Sequence, residues 1–148
     1  MLDTNIFNRV LNDQLDIQAF ASLGTFHITH LQEDELKQTA NEQRKTDLLA
    51  LFKRVEQHRV ATESAVWNVS RWNEAKWTPE DSICGAIKTA LKQDRGNLRD
   101  SLIAETCIKN GYILVTDDID LRKVIMEFSG KAITLDELLA ATKPLSSP

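Results

Sequence analysis

The sequence predicts an α/β domain built on a mostly parallel central sheet. Short β-prone runs alternate with segments whose apolar residues recur at helical spacing, and no internal repeat or second-domain linker interrupts them. The chain has 148 residues, of which 42% are hydrophobic, so it can bury a core without disulfides. We therefore expect one domain over residues 1–142, followed by a Ser- and Pro-rich tail over residues 143–148.

The first half of the chain predicts helices separated by one β-prone run. After the apolar pair Met1-Leu2, apolar residues recur at helical spacing, which predicts a first helix. A short second helix is expected after it. Residues 26–29 form the β-prone run. Thr29 and Gln32 form a capping-box pattern, which predicts a helix starting there. A further helix is expected over residues 46–58, where one stripe is apolar.

The second half alternates more regularly between strands and helices. Residues 64–69 are a second β candidate, and the sequence from Thr78 to Asp81 predicts a helix start because Thr can cap and Pro suits the first helical position. Another helix begins at residue 97. Residues 112–116 are continuous, apolar and β-branched, as in a strand covered on both faces. The remaining predicted elements are a helix over 121–128, a strand over 132–134 and a helix capped by Thr134 and Glu137.

Charge is unevenly distributed within a net total of −4. Residues 1–36 carry one basic and six acidic side chains and residues 100–148 carry five and eight, whereas residues 37–60 carry six and three. The sequence has no apolar run of membrane-spanning length and no secretory signal pattern, which predicts a cytoplasmic protein without membrane contact. Cys84 and Cys107 lie outside any Cys-x-x-Cys motif, so we expect buried free thiols.

Carboxylates follow the predicted strands at their carboxyl ends. Asp3 follows the first apolar pair, and Glu35 lies in the helix after the β-prone run 26–29. Three more acids follow the strand at 112–116, namely Asp117, Asp118 and Asp120. Ligands of parallel sheets bind at this edge. Asp100, in the helix that begins at residue 97, can reach the same edge.

Each acid taken singly has a structural explanation as a cap, an Asx-turn or part of a solvated helix face. These explanations are less satisfactory if the acids lie close together. Two like charges about 4 Å apart repel by about 1 kcal/mol in water and about 4 kcal/mol at an effective dielectric of about 20. A hard divalent cation resolves the repulsion, and a metal-activated water suits phosphodiester hydrolysis. The candidate phosphate contacts are basic residues from the middle of the chain, namely Lys37, Arg44, Lys45, Arg71, Lys76, Arg95 and Arg99.

Four motifs resemble, in order and spacing, the acidic motifs of the PIN-domain nucleases. They are Leu2-Asp3-Thr4-Asn5, Ile28-Thr29-His30 leading to Glu35-Leu36, Asp100-Ser101-Leu102-Ile103-Ala104, and the run from Leu114 to Leu121. The resemblance spans almost the whole chain. It implies a three-layer α/β/α domain and an endoribonuclease dependent on Mg²⁺ or Mn²⁺. It also implies that the metal is bound by Asp3, Glu35, Asp100 and Asp118.

The resemblance implies supporting residues and partners as well. Asn5 and Thr116 match positions that orient the acids, Asp117 stands at the family's Asn position, and Asp120 is expected to assist without binding the metal. The expected substrate is single-stranded or structured RNA. Small PIN proteins of this size resemble the toxins of bacterial toxin–antitoxin pairs and form homodimers. An antitoxin protein and a second copy of the chain are therefore expected partners.

Two departures from the family pattern stand out. Only two residues precede Asp3, so the first strand is unusually short. Trp67, Trp72 and Trp77 recur at five-residue intervals, which is poor spacing for one helix face. We expect one or two of these side chains to lie in the core, with a base-stacking surface as the alternative.

Three other functions stay open from the sequence. His27 or His30 can act as a general base in metal-independent RNA cleavage, although a structural histidine is the commoner case. A Mg²⁺-dependent phosphatase or receiver domain also gathers acids at strand ends, but the Asp-x-Asp-x-Thr/Val signature is missing after the first strand. The chain can also be a non-catalytic module that binds RNA or a protein.

Overall fold

The computed structural model describes residues 1–55, 58–78, 80–91 and 97–141, in which helices predominate over short strands. The helices are α1 (Thr4–Asn12), α2 (Ile17–Ala21), α3 (His30–Lys37), α4 (Glu42–Val55), α5 (Cys84–Ala90), α6 (Asn97–Lys109), α7 (Ile119–Glu127) and α8 (Leu135–Ala141). The strands are β1 (His27–Ile28), β2 (His58–Arg59), β3 (Ile113–Val115) and β4 (Lys131–Ile133). The mixed α/β class is confirmed, whereas the predicted tail at 143–148 lies outside the described residues.

The strands form two small parallel sheets. β1 pairs with β2, and β3 pairs with β4. Residues 1–3 hydrogen-bond to one strand of each sheet, because the Leu2 amide donates to the His27 carbonyl at 3.2 Å and the Asp3 amide donates to the Val115 carbonyl at 3.0 Å. The parallel direction agrees with the prediction. The described strands are only two or three residues long, so the sheets are smaller than the sequence suggested.

Two hydrophobic clusters form the core. One takes most of its side chains from α1, α2 and α4, and the other takes most from α5, α6 and α7. Neighbouring residues near the strands belong to different clusters: Leu2 and Val115 to the first, and Met1 and Leu114 to the second. This division follows from the alternation of side chains along extended backbone.

Caps at three helix starts position the residues that follow the strands. Asp3 is the N-cap of α1, and Thr29 is the N-cap of α3. The predicted capping box is present, since the Thr29 amide donates to Gln32 Oε1 at 2.9 Å. Asp118 caps α7 through Oδ1, which accepts from two amides of the first turn at 2.9 Å each. Strong local signals therefore fix where the backbone turns from strand into helix.

The strand predicted at residues 64–69 is wrong, because this segment forms turns. The Val66 carbonyl accepts from the amides of Val69 and Ser70 at 3.1 and 2.9 Å. The Ser70 hydroxyl in turn accepts from the Val66 amide at 2.8 Å. These local hydrogen bonds satisfy backbone groups that a ladder would otherwise need, so β-branched composition does not produce a strand here.

The helix predicted to start at Thr78 begins instead at Cys84. Thr78 donates its hydroxyl to the Ala65 carbonyl at 2.9 Å, so it does not cap a helix. The buried Glu105 carboxylate accepts from the Ser82 hydroxyl at 2.7 Å and from the Ile83 amide at 2.9 Å. Contacts distant in sequence therefore delay the helix.

Both cysteines are buried free thiols, as predicted. Burial raises the pKa of Cys84 to about 11, and it raises the pKa of Cys107 to about 11 as well. Both side chains belong to the second hydrophobic cluster. Among the described residues, the helices are too short or too polar to cross a bilayer.

Candidate active site

Asp3 presents a buried carboxylate with both oxygens hydrogen-bonded. The residue is 5% exposed. Oδ1 accepts from the Thr4 amide at 2.7 Å, and Oδ2 accepts from the Thr116 hydroxyl at 2.6 Å. Burial raises the pKa of Asp3 to about 6, although both hydrogen bonds act to lower it; the charges of Glu35 and Asp118 raise it further. The side chain therefore has a fixed orientation and lies near other acids.

The Thr116 hydroxyl joins several of the predicted site residues. It donates to Asp3 and accepts from Asn5 Nδ2 and from the Asp118 amide, each at 3.1 Å. Thr116 is fully buried, and a hydroxyl offers one donor and two lone pairs, so its hydrogen-bonding capacity is filled. Asn5 and Thr116 thus lie beside Asp3 and the backbone of Asp118.

Thr4 links Asp3 to Glu35. Its amide donates to the Asp3 carboxylate, while its hydroxyl donates to Glu35 Oε2. Glu35 is partly buried on α3. The motif Leu2-Asp3-Thr4-Asn5 contains Thr4 but does not by itself indicate a role for its side chain. One sequence signal for this role is the position of Thr4 directly after the N-cap residue Asp3. At that position the amide and the hydroxyl of Thr4 both lie at the start of α1.

Asp100 lies in the first turn of α6 and is partly buried. Burial raises its pKa to about 7, and the charges of Asp3, Glu35 and Asp118 add to the rise. The neighbouring Arg99 acts in the opposite direction. Because Asp100 responds to all three of the other predicted ligands, the four carboxylates share one electrostatic environment.

The remaining acids after β3 have different surroundings. Asp118 is exposed, with Oδ1 engaged in the α7 cap. Asp117 is tied elsewhere: Oδ2 accepts from Arg9 Nη1 at 2.8 Å and Oδ1 accepts from the Leu135 amide at 3.2 Å. Asp120 has a side chain 85% exposed and lies 3.8 Å from the Lys123 ammonium. Asp117 therefore connects α1 to the start of α8, and Asp120 faces solvent.

The donor atoms of these carboxylates suit a divalent cation, but the side chains are not close enough together to bind one as they stand. Among the described residues, no three His, Cys, Asp or Glu side chains converge tightly enough to form a ready metal site. The donors are all carboxylate oxygens, which Mg²⁺ and Mn²⁺ prefer. Burial and neighbouring acids raise the pKa values of both Asp3 and Asp100.

Most of the basic residues predicted to contact phosphate are paired. Carboxylate pairs hold Lys37 to Glu33, Lys45 to Glu42, Arg71 to Asp34 and Lys76 to Glu63. Arg44 and Arg99 donate instead to the neutral side chains of Asn8 and Gln38, at 2.8 and 3.3 Å. Arg95 lies outside the described residues. Arg99 also directly precedes Asp100 in the first turn of α6.

The two candidate histidine bases have structural contacts. His30 is fully buried, and its Nε2 lies 3.3 Å from the Val69 carbonyl oxygen. The His27 ring stacks on Tyr112 with ring centroids 4.1 Å apart. Burial lowers the pKa of His27, and the positive charges of the N-terminus and His58 lower it further. These contacts favour structural roles over proton transfer to a substrate.

The expectation that tryptophans lie in the core is wrong. Trp67, Trp72 and Trp77 are 88%, 86% and 87% exposed. Asn68 and Asn73, each directly after a tryptophan, adopt a positive φ of 62°. The turns that contain these residues present the indole rings outward, which composition alone did not indicate.

Comparisons with protein-family models, with curated proteins and with solved structures found no match to this chain. The resemblance to the PIN-domain nucleases therefore stays a prediction that rests on its four motifs.

Proposed function

We propose that the chain is a metal-dependent endoribonuclease of the PIN type, in which Asp3, Glu35, Asp100 and Asp118 bind Mg²⁺ or Mn²⁺. The observation that carries the proposal is the buried Asp3 carboxylate, held by Thr116 and linked to Glu35 through Thr4. A buried carboxylate beside other acids destabilises a fold unless a proton or a cation neutralises it. Binding of a hard divalent cation would neutralise these acids, which gives a reason for their arrangement.

Each residue contributes a separate part of the proposed chemistry. A metal held by Asp3, Glu35, Asp100 and Asp118 would lower the pKa of an attacking water and stabilise charge on the leaving oxygen. Thr116 and the Thr4 amide orient Asp3, and the Thr4 hydroxyl orients Glu35. Asp118 is held at the N-terminus of α7, with one oxygen engaged in the cap. Arg99 offers positive charge next to Asp100 for binding the phosphate.

The fold supports the same proposal at a coarser level. Residues 1–3 hydrogen-bond to both β1 and β3, so the strand order β2, β1, residues 1–3, β3, β4 is consistent with one parallel sheet. Residues next to each other near the strands belong to different hydrophobic clusters, which suits helices on both faces. We propose that this is a small three-layer α/β/α domain.

The substrate and partners rest on the resemblance. A metal-activated water does not use the ribose 2′-OH, so the chemistry itself does not select RNA over DNA. An antitoxin protein and a homodimer are proposals on the same basis. The hydrolytic site, in contrast, is supported by the contacts of the chain's own residues.

The test is cleavage of an RNA oligonucleotide and its DNA counterpart in Mn²⁺. We expect Asp3→Asn and Asp100→Asn to slow RNA cleavage by about 100-fold or more, because each removes a proposed ligand. Asp81→Asn serves as a matched control, since Asp81 is an exposed carboxylate that pairs with Lys109. Far-UV circular dichroism checks that the variants fold.

Two results would contradict the proposal. The first is an unchanged cleavage rate in both site variants. The second is cleavage that survives EDTA and produces a cyclic phosphate, which indicates attack by the ribose hydroxyl with a general base. A metal-dependent rise in melting temperature gives an independent check, because a ligand bound only by the native state stabilises it.

A further inference from the structure

The segment between β2 and α5 exposes all three tryptophans of the chain. We name Trp67, Trp72 and Trp77 the tryptophan face. A fully exposed aromatic side chain offers about 150–250 Å² of surface, so the face amounts to roughly 500 Å². This approaches the largest apolar patch of a typical monomer, and patches of that size often mark interaction sites.

The tryptophan face is held in place by hydrogen bonds. The Thr62 amide donates to the Glu74 carbonyl at 3.0 Å, and the Lys76 amide donates to the Thr62 carbonyl at 2.8 Å. Asn68 and Asn73 hold the left-handed conformation directly after Trp67 and Trp72. Residues other than glycine rarely adopt this backbone conformation without a local reason. The repeated Trp-Asn turn therefore builds a defined surface.

A cavity of about 660 Å³ lies against the tryptophan face. Its remaining described lining consists of small apolar side chains and neutral polar ones, with Arg71 as the charged residue. Arg71 is engaged by Asp34, and it also lies 3.5 Å from Glu33 and 3.4 Å from Glu74. The cavity therefore combines aromatic walls and neutral hydrogen-bonding groups with a guanidinium that is already paired.

Charge at this surface favours an uncharged partner. Lys76, the next basic residue, is held by Glu63 at 2.6 Å. A nucleic acid needs cations that are free to replace its counterions. Here Arg71 and Lys76 must first break their carboxylate pairs, which opposes binding of a polyanion.

We propose that the tryptophan face and its cavity form a docking site for an uncharged, proline-rich segment of another protein. Such a segment adopts the extended polyproline II helix, which displays apolar rings and free carbonyl oxygens and loses little entropy on binding. Indole rings pack against prolines, and indole N–H groups donate to the carbonyls. Neutral donors beside the rings come from Asn68 and Asn73.

Intrinsic fluorescence gives a direct assay because every tryptophan of the chain belongs to this face. The full chain is titrated with a capped, uncharged proline-rich decapeptide, with its alanine-substituted counterpart and with oligouridine. We expect a saturable blue shift with the proline-rich peptide and none with the other two. Binding of this peptide changes by less than about twofold between about 50 and 200 mM salt, whereas phosphate binding falls steeply over that range.

Variants test whether the face itself binds. Trp72→Ala is expected to weaken binding of a fluorescently labelled proline-rich peptide about 10-fold, measured by anisotropy. Met126→Ala, which removes a side chain 56% exposed on α7, leaves the affinity unchanged. Circular dichroism shows that both variants fold, as expected for exposed positions.

Each alternative occupant gives a result that overturns the proposal. A salt-sensitive blue shift with oligouridine assigns the face to RNA. A blue shift on raising the protein concentration alone assigns it to a second copy of the chain. Failure of the proline-rich peptide to saturate at millimolar concentration, or unchanged affinity in Trp72→Ala, removes the docking site.

Discussion

Replacing Asp100 with asparagine is expected to stabilise the metal-free protein at alkaline pH. Burial and three acidic neighbours raise the pKa of Asp100 from 3.8 to about 7. The native state therefore binds this proton more tightly than the unfolded chain does. The resulting stabilisation is complete below about pH 4 and is lost as the pH rises through about 7, and asparagine avoids that loss.

The size of the gain follows from the shift in pKa. One pKa unit corresponds to about 1.4 kcal/mol, so a rise of about three units sets an upper limit of about 4 kcal/mol. Asp100 is partly exposed, and solvent screens its neighbours. We therefore expect the variant to be more stable than the parent by about 2 kcal/mol at about pH 8.5, with little difference at about pH 4.

Urea unfolding in EDTA across this pH range measures the effect. The control is Asp120→Asn, whose side chain is 85% exposed, and a change below about 0.5 kcal/mol is expected there. Adding Mg²⁺ or Mn²⁺ reduces the advantage of Asp100→Asn, because the cation replaces the proton in the parent protein. Equal stability of parent and variant at alkaline pH, or a gain of the same size at both extremes, would refute the reasoning.

Three further substitutions test the contacts around the site. Thr116→Val removes the hydroxyl that donates to Asp3 and is expected to weaken Mn²⁺ binding about 10-fold; unchanged affinity by calorimetry would argue against an orienting role. Thr29→Ala removes the buried cap of α3 and is expected to lower the free energy of unfolding in urea by about 1–2 kcal/mol, whereas no loss would mean that the cap is dispensable. Arg9→Met breaks ion pairs with Asp13, Asp117 and Asp136 and is expected to cost about 1 kcal/mol at low salt, and the cost falls at high salt because the pairs are partly exposed. A salt-independent cost would assign the effect to packing instead.

Local chemistry made much of the fold predictable from the sequence. The capping box at Thr29 and Gln32 and the cap at Thr134 both depend on residues only three positions apart, and both are present. The strand at residues 113–115 follows from an uninterrupted apolar run in which Ile113 and Val115 are β-branched. Helix α6 ends near Gly111, whose φ of 68° suits a residue without a side chain. In each case the residues that determine the structure are close together in the sequence.

Prediction failed where distant side chains compete with local preference. Glu105 binds Ser82 and the Ile83 amide, so the signal at Thr78 does not start a helix. The tryptophan spacing says nothing about whether a segment lies inside or outside. The indoles are exposed because turns form at Asn68 and Asn73, where the Val69 and Glu74 amides donate to the Val66 and Arg71 carbonyls.

In the candidate site, too, some features could be predicted from the sequence and others could not. The order of acids after strands predicted which residues are near each other, and the electrostatic coupling of Asp100 to Asp3 agrees with that placement. The bond from Thr4 to Glu35 and the capture of Asp117 by Arg9 depend on side-chain geometry. Ion pairing of the predicted phosphate contacts also depends on folded geometry, so counting charges along the chain overstated their availability.

The hydrogen bond between Asp3 and Thr116 joins residues 113 positions apart in sequence. Closing so long a loop is slow, because chain entropy must be lost before the contact forms. Asp3 lacks its hydroxyl donor in any fragment of the chain that ends before Thr116. In such a fragment its carboxylate keeps only the hydrogen bond from the neighbouring Thr4 amide, so its orientation depends on the folding together of distant parts of the chain.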